Sequence, residues 1–218
     1  INLDLVYGLP YQTPHGFQAT LDQILELGPD RVACFSYSHD PSTRPHQHAI
    51  NSAQLPSAAE KLGLFHSAVR AFTEAGYRWV GLDVFVREDD ELFDAQAKGQ
   101  LYRNAIGYTP IPGKQVIAFG PSGIGEVGEA LVQNHPDLKQ WQKRLNNGEL
   151  PVAWGRAMSE PDRKRREAIL YLMCNLQLPA ASAADLDKEY DRLCREAEHG
   201  LVEVSDDGIR VTPQGRYL

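Results

Sequence analysis

Along the first part of the chain the apolar positions switch between two periods. Ile1, Leu3, Leu5 and Tyr7 interleave with Asn2, Asp4 and Val6, the period of a strand, and Gly8 and Pro10 end the run. Behind Pro14, Phe17, Leu21, Ile24, Leu25 and Leu27 recur at helical spacing until Gly28-Pro29 closes the segment. Arg31 to Ser38 is short, rich in β-formers and bounded by Pro29 and Pro41, which makes it the second strand of a β-α-β unit with a parallel pair and a right-handed crossover. Residues 39–56 carry three prolines and three histidines and read as a long loop leaving the carboxyl end of a strand. Ser57 and Glu60 form a capping box ahead of a helix striped by Leu62, Phe65, Val69 and Phe72, which Gly76 stops. Tyr77 to Val86 reads as a third strand and Glu88 to Lys98 as a short polar helix. Tyr102 to Thr109 then leads into a fourth strand, Val116 to Phe119, and the glycine-rich loop Gly120 to Gly125.

From Ser159 the character changes. Helical patterns over 160–178 and 184–198 are followed by strands at 201–204 and 209–211 around Ser205-Asp206-Asp207-Gly208, two helices and a hairpin that resemble a winged-helix module. The expected fold class is therefore α/β. Residues 1–150 form a sheet or part of a barrel, and residues 151–218 a small, mainly helical, winged-helix-like domain. In such folds ligands bind outside the carboxyl ends of the strands, and Asp4, Ser38, Asp83 and the glycine loop fall at or near such ends. Asp4 either faces water from a surface strand or points into a shared cavity. There its desolvation must be offset by a partner, such as a ligand with hydroxyl or ammonium donors.

At 218 residues with 42% hydrophobic content, the chain can bury a real core. A net charge of -7 argues against a general affinity for nucleic acid or anionic membrane. The run Arg163-Lys164-Arg165-Arg166 does not alter this, since residues 160–218 hold nine Lys and Arg against twelve Asp and Glu, a net of -3. The run reads as the solvated side of a helix or a lid contact. No apolar run approaches the roughly 18 residues of a membrane span and no leader precedes Ile1, so the expected compartment is the cytoplasm. The chain starts without methionine in mid-strand, as a cut end would. Cys34, Cys174 and Cys194 are too dispersed for a disulfide framework or a Cys-rich metal motif, and His46 and His48 lack nearby co-ligands. The glycine loop is not spaced as a dinucleotide loop, and neither a nucleophile elbow nor a Walker loop occurs.

The segments Asp4-Leu5-Val6-Tyr7-Gly8-Leu9-Pro10 with Gln12-Thr13, Pro29-Asp30-Arg31, Gly81-Leu82-Asp83, Asp89-Asp90-Glu91-Leu92, Arg103-Asn104, Gly107-Tyr108-Thr109 and Gly120-Pro121-Ser122-Gly123-Ile124 stand in the order found in a known family, with Ile209 to Arg216 closing the match. The chain resembles the oxygen-independent coproporphyrinogen III oxidases, radical S-adenosylmethionine (SAM) enzymes, over their C-terminal part. The resemblance implies the C-terminal part of a partial (βα) barrel that holds a 4Fe-4S cluster and SAM, with a helical domain closing over it. The family's cluster motif, Cys-x-x-x-Cys-x-x-Cys, is absent here and is expected upstream. The implied reaction is oxidative decarboxylation of propionate side chains to vinyl groups by a SAM-derived radical. This fragment alone is expected to be inactive.

By position in the family's motifs, Asp4, Ser38 and Ile124 would contact SAM. Asp4 would accept from the cofactor's donors, Ile124 would pack on it, and Ser38 stands where alanine is the family's expected residue. Arg103 and the basic run are candidates for substrate propionates. The implied partners are a porphyrinogen substrate and an unidentified electron donor, with no nucleic acid or membrane, and the working form is a monomer. Val84 departs from the histidine expected after Asp83. That keeps open a diverged paralogue that binds or delivers haem, and beside it a non-catalytic scaffold.

Overall fold

The computed structural model describes residues 1–104, 107–113, 115–183 and 186–217. They divide into two compact units, residues 1–99 with 213–217 and residues 100–212.

In the first unit, β1 (Asn2–Tyr7), α1 (Pro14–Leu27) and β2 (Arg31–Ser36) form the expected β-α-β unit, with β1 and β2 parallel. Thr13 caps α1 by accepting from the Gly16 amide at 3.1 Å. The capping box is present at the start of α2 (Ala58–Glu74): Glu60 Oε2 accepts from the Ser57 amide at 2.7 Å. Hydrogen bonding to Ser57 holds the Glu60 carboxyl below the usual carboxylate range. Leu64, Phe65, Ala68, Val69 and Phe72 of α2 and Phe17, Leu21 and Ile24 of α1 bury one face of the sheet with Leu5, Val32, Cys34 and Phe85.

The third strand is a correction. Tyr77 to Val86 is not one strand but β3 (Arg78–Val80) and β4 (Val84–Val86) folded back on each other, in sheet order β1-β2-β4-β3. Gly81 takes a left-handed φ of +57° and Trp79 Nε1 donates to the Leu82 carbonyl at 2.9 Å, which closes the turn. Consequently β4 runs antiparallel to β2, and its continuation at Asp83 accepts from the Cys34 amide at 2.8 Å. The polar helix follows as α3 (Glu91–Ala97), capped by Asp90.

In the second unit, β5 (Tyr102–Arg103) pairs with β6 (Tyr108–Thr109); Ala105 and Ile106, within the same predicted stretch, lie outside the described residues. The predicted fourth strand is a second correction. Val116 makes a single bridge to Glu126, while Ile117 and Phe119 are 70% and 90% exposed, because no strand among the described residues pairs with them. The strands are instead β7 (Ile124–Val127), β8 (Ala130–Asn134) and β9 (Val152–Ala157), an antiparallel meander with α4 (Leu138–Asn146) between its last two members. The boundary expected at residue 150 lies within this unit, between α4 and β9.

The C-terminal segment has the predicted winged-helix character: α5 (Glu160–Asn175), β10 (Gln177–Pro179), α6 (Ala180–Ala183), α7 (Asp187–Glu196), β11 (Val202–Ser205) and β12 (Gly208–Val211), with sheet order β10-β12-β11. Ala184, the expected start of the second helix, lies outside the described residues. Ala168, Leu178, Leu186, Val202 and Ile209 form its core.

Candidate functional site

On β1, Leu3, Leu5 and Tyr7 pack toward the helices, so the two-residue period turns Asn2, Asp4 and Val6 to the other face. Asp4 is exposed there, and its Oδ1 accepts from Asn2 Nδ2 at 2.8 Å. Its neighbours on that face are apolar and partly open: Val6 is 37% exposed, and Phe35, its register partner on β2, is 41% exposed. The turn beyond β1 is tied by one side chain. Gln12 Oε1 accepts from the Gly8 amide at 2.6 Å, and the Tyr11 amide reaches the Gln54 carbonyl at 2.9 Å. The Gly-Leu-Pro-x-Gln-Thr motif thus builds the strand-to-helix turn.

Asp4 is in register with Ala33, five residues before Ser38, or about 16 Å along an extended backbone. Ser38 is exposed just past β2, where the ladder ends with the Tyr37 amide on the Tyr7 carbonyl at 2.7 Å. The two residues therefore share a unit and a strand direction without being neighbours. Gln47 sets the backbone at Ser38: its Nε2 donates to the Ser38 carbonyl at 3.0 Å and its Oε1 accepts from the Asp40 amide at 2.6 Å. Sequence reasoning missed this residue. It is only 3% exposed, between the exposed His46 and His48, and an isolated glutamine in a Pro- and His-rich loop gives no periodic signal. Asp40 accepts from Ser42 and Thr43 hydroxyls at 2.5 and 2.6 Å, which hold its carboxyl at about 2. Among the described residues no group of three or more His, Cys, Asp or Glu is arranged to hold a metal ion.

In the second unit Ile124 lines a cavity of about 230 Å³ together with Arg103, Glu126, Arg166, Leu131 and Leu170. Three separate sequence candidates, namely Ile124, Arg103 and the last member of the basic run, thus meet at one site. Gly125 makes the close packing beside it possible: a Cβ there would stand 2.9 Å from the Val116 carbonyl oxygen. The loop's glycine therefore serves approach to another element. Each member of the basic run faces a carboxylate: Arg163 with Glu129 at 2.5 Å, Lys164 with Glu160 at 3.9 Å, Arg165 with Glu189 at 3.1 Å and Arg166 with Glu126 at 2.5 Å.

No protein-family model matches the chain. It is 37% identical over 229 residues to the oxygen-independent coproporphyrinogen III oxidase of Escherichia coli (strain K12), covering all of this chain and 50% of the relative. It is 38% identical to the Helicobacter pylori (strain ATCC 700392 / 26695) enzyme of that name, again with 50% of the relative covered. Its identity to the Thermostichus vulcanus protein so named is 36%, with 70% of that protein covered. The solved structure of coproporphyrinogen III oxidase (HemN) from Escherichia coli, a radical SAM enzyme, superimposes with a TM-score of 0.92 at 37% identity, over 99% of this chain and 52% of that one. The chain thus has the fold of the C-terminal part of a radical SAM enzyme, and it spans about half the length of the first two relatives.

Proposed function

The chain belongs to the family of oxygen-independent coproporphyrinogen III oxidases, and on that premise we propose that it is the portion of such an enzyme that carries part of the SAM site and closes over the substrate. The observation that carries the reading is the 0.92 TM-score at 37% identity over 99% of the chain. In this reading the full protein decarboxylates two propionate side chains of coproporphyrinogen III to vinyl groups, giving protoporphyrinogen IX. Bound SAM with its cluster would supply a radical that takes a hydrogen atom from each propionate chain, and carbon dioxide and one electron would leave to give the vinyl group.

The chain's own thiols do not fit the cluster. Cys34, Cys174 and Cys194 lack the Cys-x-x-x-Cys-x-x-Cys spacing, and no group of three or more His, Cys, Asp or Glu among the described residues is arranged to hold a metal ion. The cluster ligands are therefore assigned to the part of the protein outside this chain. Toward SAM the residues here do fit. In a (βα) barrel the helices lie outside, so the sheet face turned away from α1 and α2 is the inner one, and Asp4 is on it. Its carboxylate would accept from hydroxyl or ammonium donors of the cofactor. Ser38 would bound the far end of that strand-tip surface, with Gln47 fixing its backbone. Ile124 would give an apolar contact. Residues 1–150 would then contribute to the barrel and residues 151–218 to the cover, with Arg103 oriented to a substrate carboxylate. A cytoplasmic monomer that takes electrons from a separate donor completes the proposal. Among the described residues no helix is long and apolar enough to cross a membrane.

The relatives carry the oxidase's name, and the haem-delivery alternative gains nothing from them. Val84, half-buried at the start of β4 and paired with Ala33 and Val80, departs from the family's expected histidine, as Ser38 departs from its alanine. Reconstituting the full-length protein with its cluster and assaying anaerobically tests the proposal. Conversion of coproporphyrinogen III to a divinyl product is expected; haem uptake without turnover would overturn it.

A further inference from the structure

The cavity lined by Ile124 holds two guanidinium groups and one carboxylate. Glu126 is engaged by Arg166 at 2.5 Å, so Arg103 has no carboxylate of its own in the cavity. Its Nε is buried and finds no acceptor among the described residues, while its guanidinium lies over the Tyr108 ring, 5.5 Å from the centroid. A buried charged donor left unpaired is costly, and an anionic acceptor would relieve that cost. A carboxylate matches best, because its two oxygens meet the planar guanidinium fork with parallel hydrogen bonds. Val116, Ile124, Leu131 and Leu170 make most of the remaining wall apolar, with Asn104 the other polar side chain on it. The volume of about 230 Å³ is below the roughly 300–1,000 Å³ of sites that enclose a whole drug-sized ligand. A tetrapyrrole ring does not enter; a short alkyl arm does.

We propose that this cavity is a carboxylate subsite in which Arg103, beside the Arg166–Glu126 pair, receives an alkyl carboxylate arm whose methylenes lie against Leu131 and Leu170. The proposal rests on the oxidase reading above, and two molecules of that reading carry such an arm: the porphyrinogen through its propionates and SAM through its amino-acid carboxylate.

The test uses the full-length protein with its cluster reconstituted, titrated anaerobically with coproporphyrin III, with its tetramethyl ester and with SAM. Wild type is compared with Arg103→Gln and with Leu170→Trp, which fills the cavity and keeps both charges. For coproporphyrin III both variants are expected to lose affinity by about tenfold or more. The ester is expected to bind wild type and Arg103→Gln alike. A loss of that size for SAM in place of coproporphyrin III supports the subsite and assigns it to the cofactor. Unchanged affinity for both molecules in both variants overturns the subsite, and leaves the oxidase reading standing if wild type still forms the vinyl product. Wild type that binds neither molecule and forms no vinyl product overturns both. If Arg103→Gln does not fold by circular dichroism, Leu170→Trp alone decides.

Discussion

The two units are held together differently. In the first, a sheet with two helices on one face buries Phe17, Phe72 and Phe85 completely. In the second, the β7-β8-β9 meander is thin: Trp154 is 47% exposed on β9, and none of the residues of α4 is buried. Its order comes from specific hydrogen bonds, such as Trp154 Nε1 to Gln133 Oε1 at 2.7 Å and Asn134 Nδ2 to the Gly120 carbonyl at 2.9 Å. Hydrophobic burial is additive and tolerant, whereas a pinned loop depends on a few individual contacts.

The sharpest way to break this contrast is by truncation in each unit. Phe72→Ala should cost about 3–5 kcal/mol, because a fully buried ring leaves a cavity, whereas Trp154→Ala should cost about 1 kcal/mol, on the scale of one hydrogen bond. Chemical denaturation of both variants measures the difference, and equal losses would refute it. Next in size is Gly125→Val, whose side chain must enter the space held by the Val116 carbonyl and Val132. We expect a loss of roughly 1–3 kcal/mol, read from the same unfolding curves.

Thiol reactivity sharpens the comparison differently, since each unit buries a cysteine. Iodoacetamide at pH 8 under native conditions should label the half-buried Cys194 first and leave Cys34 and Cys174 largely unmodified, as peptide mass spectrometry would show. The smallest effect is the acid limb. Asp40, Glu60 and Asp162 all have carboxyls held below their usual values by hydroxyl and amide donors. Their contributions are complete above an ordinary carboxylate pKa of about 4 and fade as pH falls through the lowered values, to about 2 for Asp40. Asp40→Asn should lower the neutral plateau, where the wild-type contribution is complete, and flatten the low-pH part of the stability profile. A thermal melt series from pH 5 to roughly pH 2 would check this.

The same contrast explains what the chain made readable. The β-α-β unit, the capping box on α2 and the closing hairpin were legible because their signals are local: a two-residue period, Ser57 with Glu60, and Asp206-Asp207 ahead of Gly208. Tyr77 to Val86 misled because Gly81 interrupts a run that is apolar on both sides, and a strand folded on itself keeps the same composition as a continuous one. Residues 124–157 went unread because a meander with little burial leaves little periodicity. Of the site, Ile124, Arg103 and Arg166 were each nameable, but their meeting depends on the pairing of β7 with β8 and on the placement of α5, which spacing does not encode.

Gln47 clasps the segment after β2 through two neutral amide links, to the Ser38 carbonyl and the Asp40 amide. A carboxamide neither titrates nor answers to dissolved salt. The strand tip beside the proposed cofactor surface should therefore hold its shape in acid or brine strong enough to loosen the ionic contacts around it.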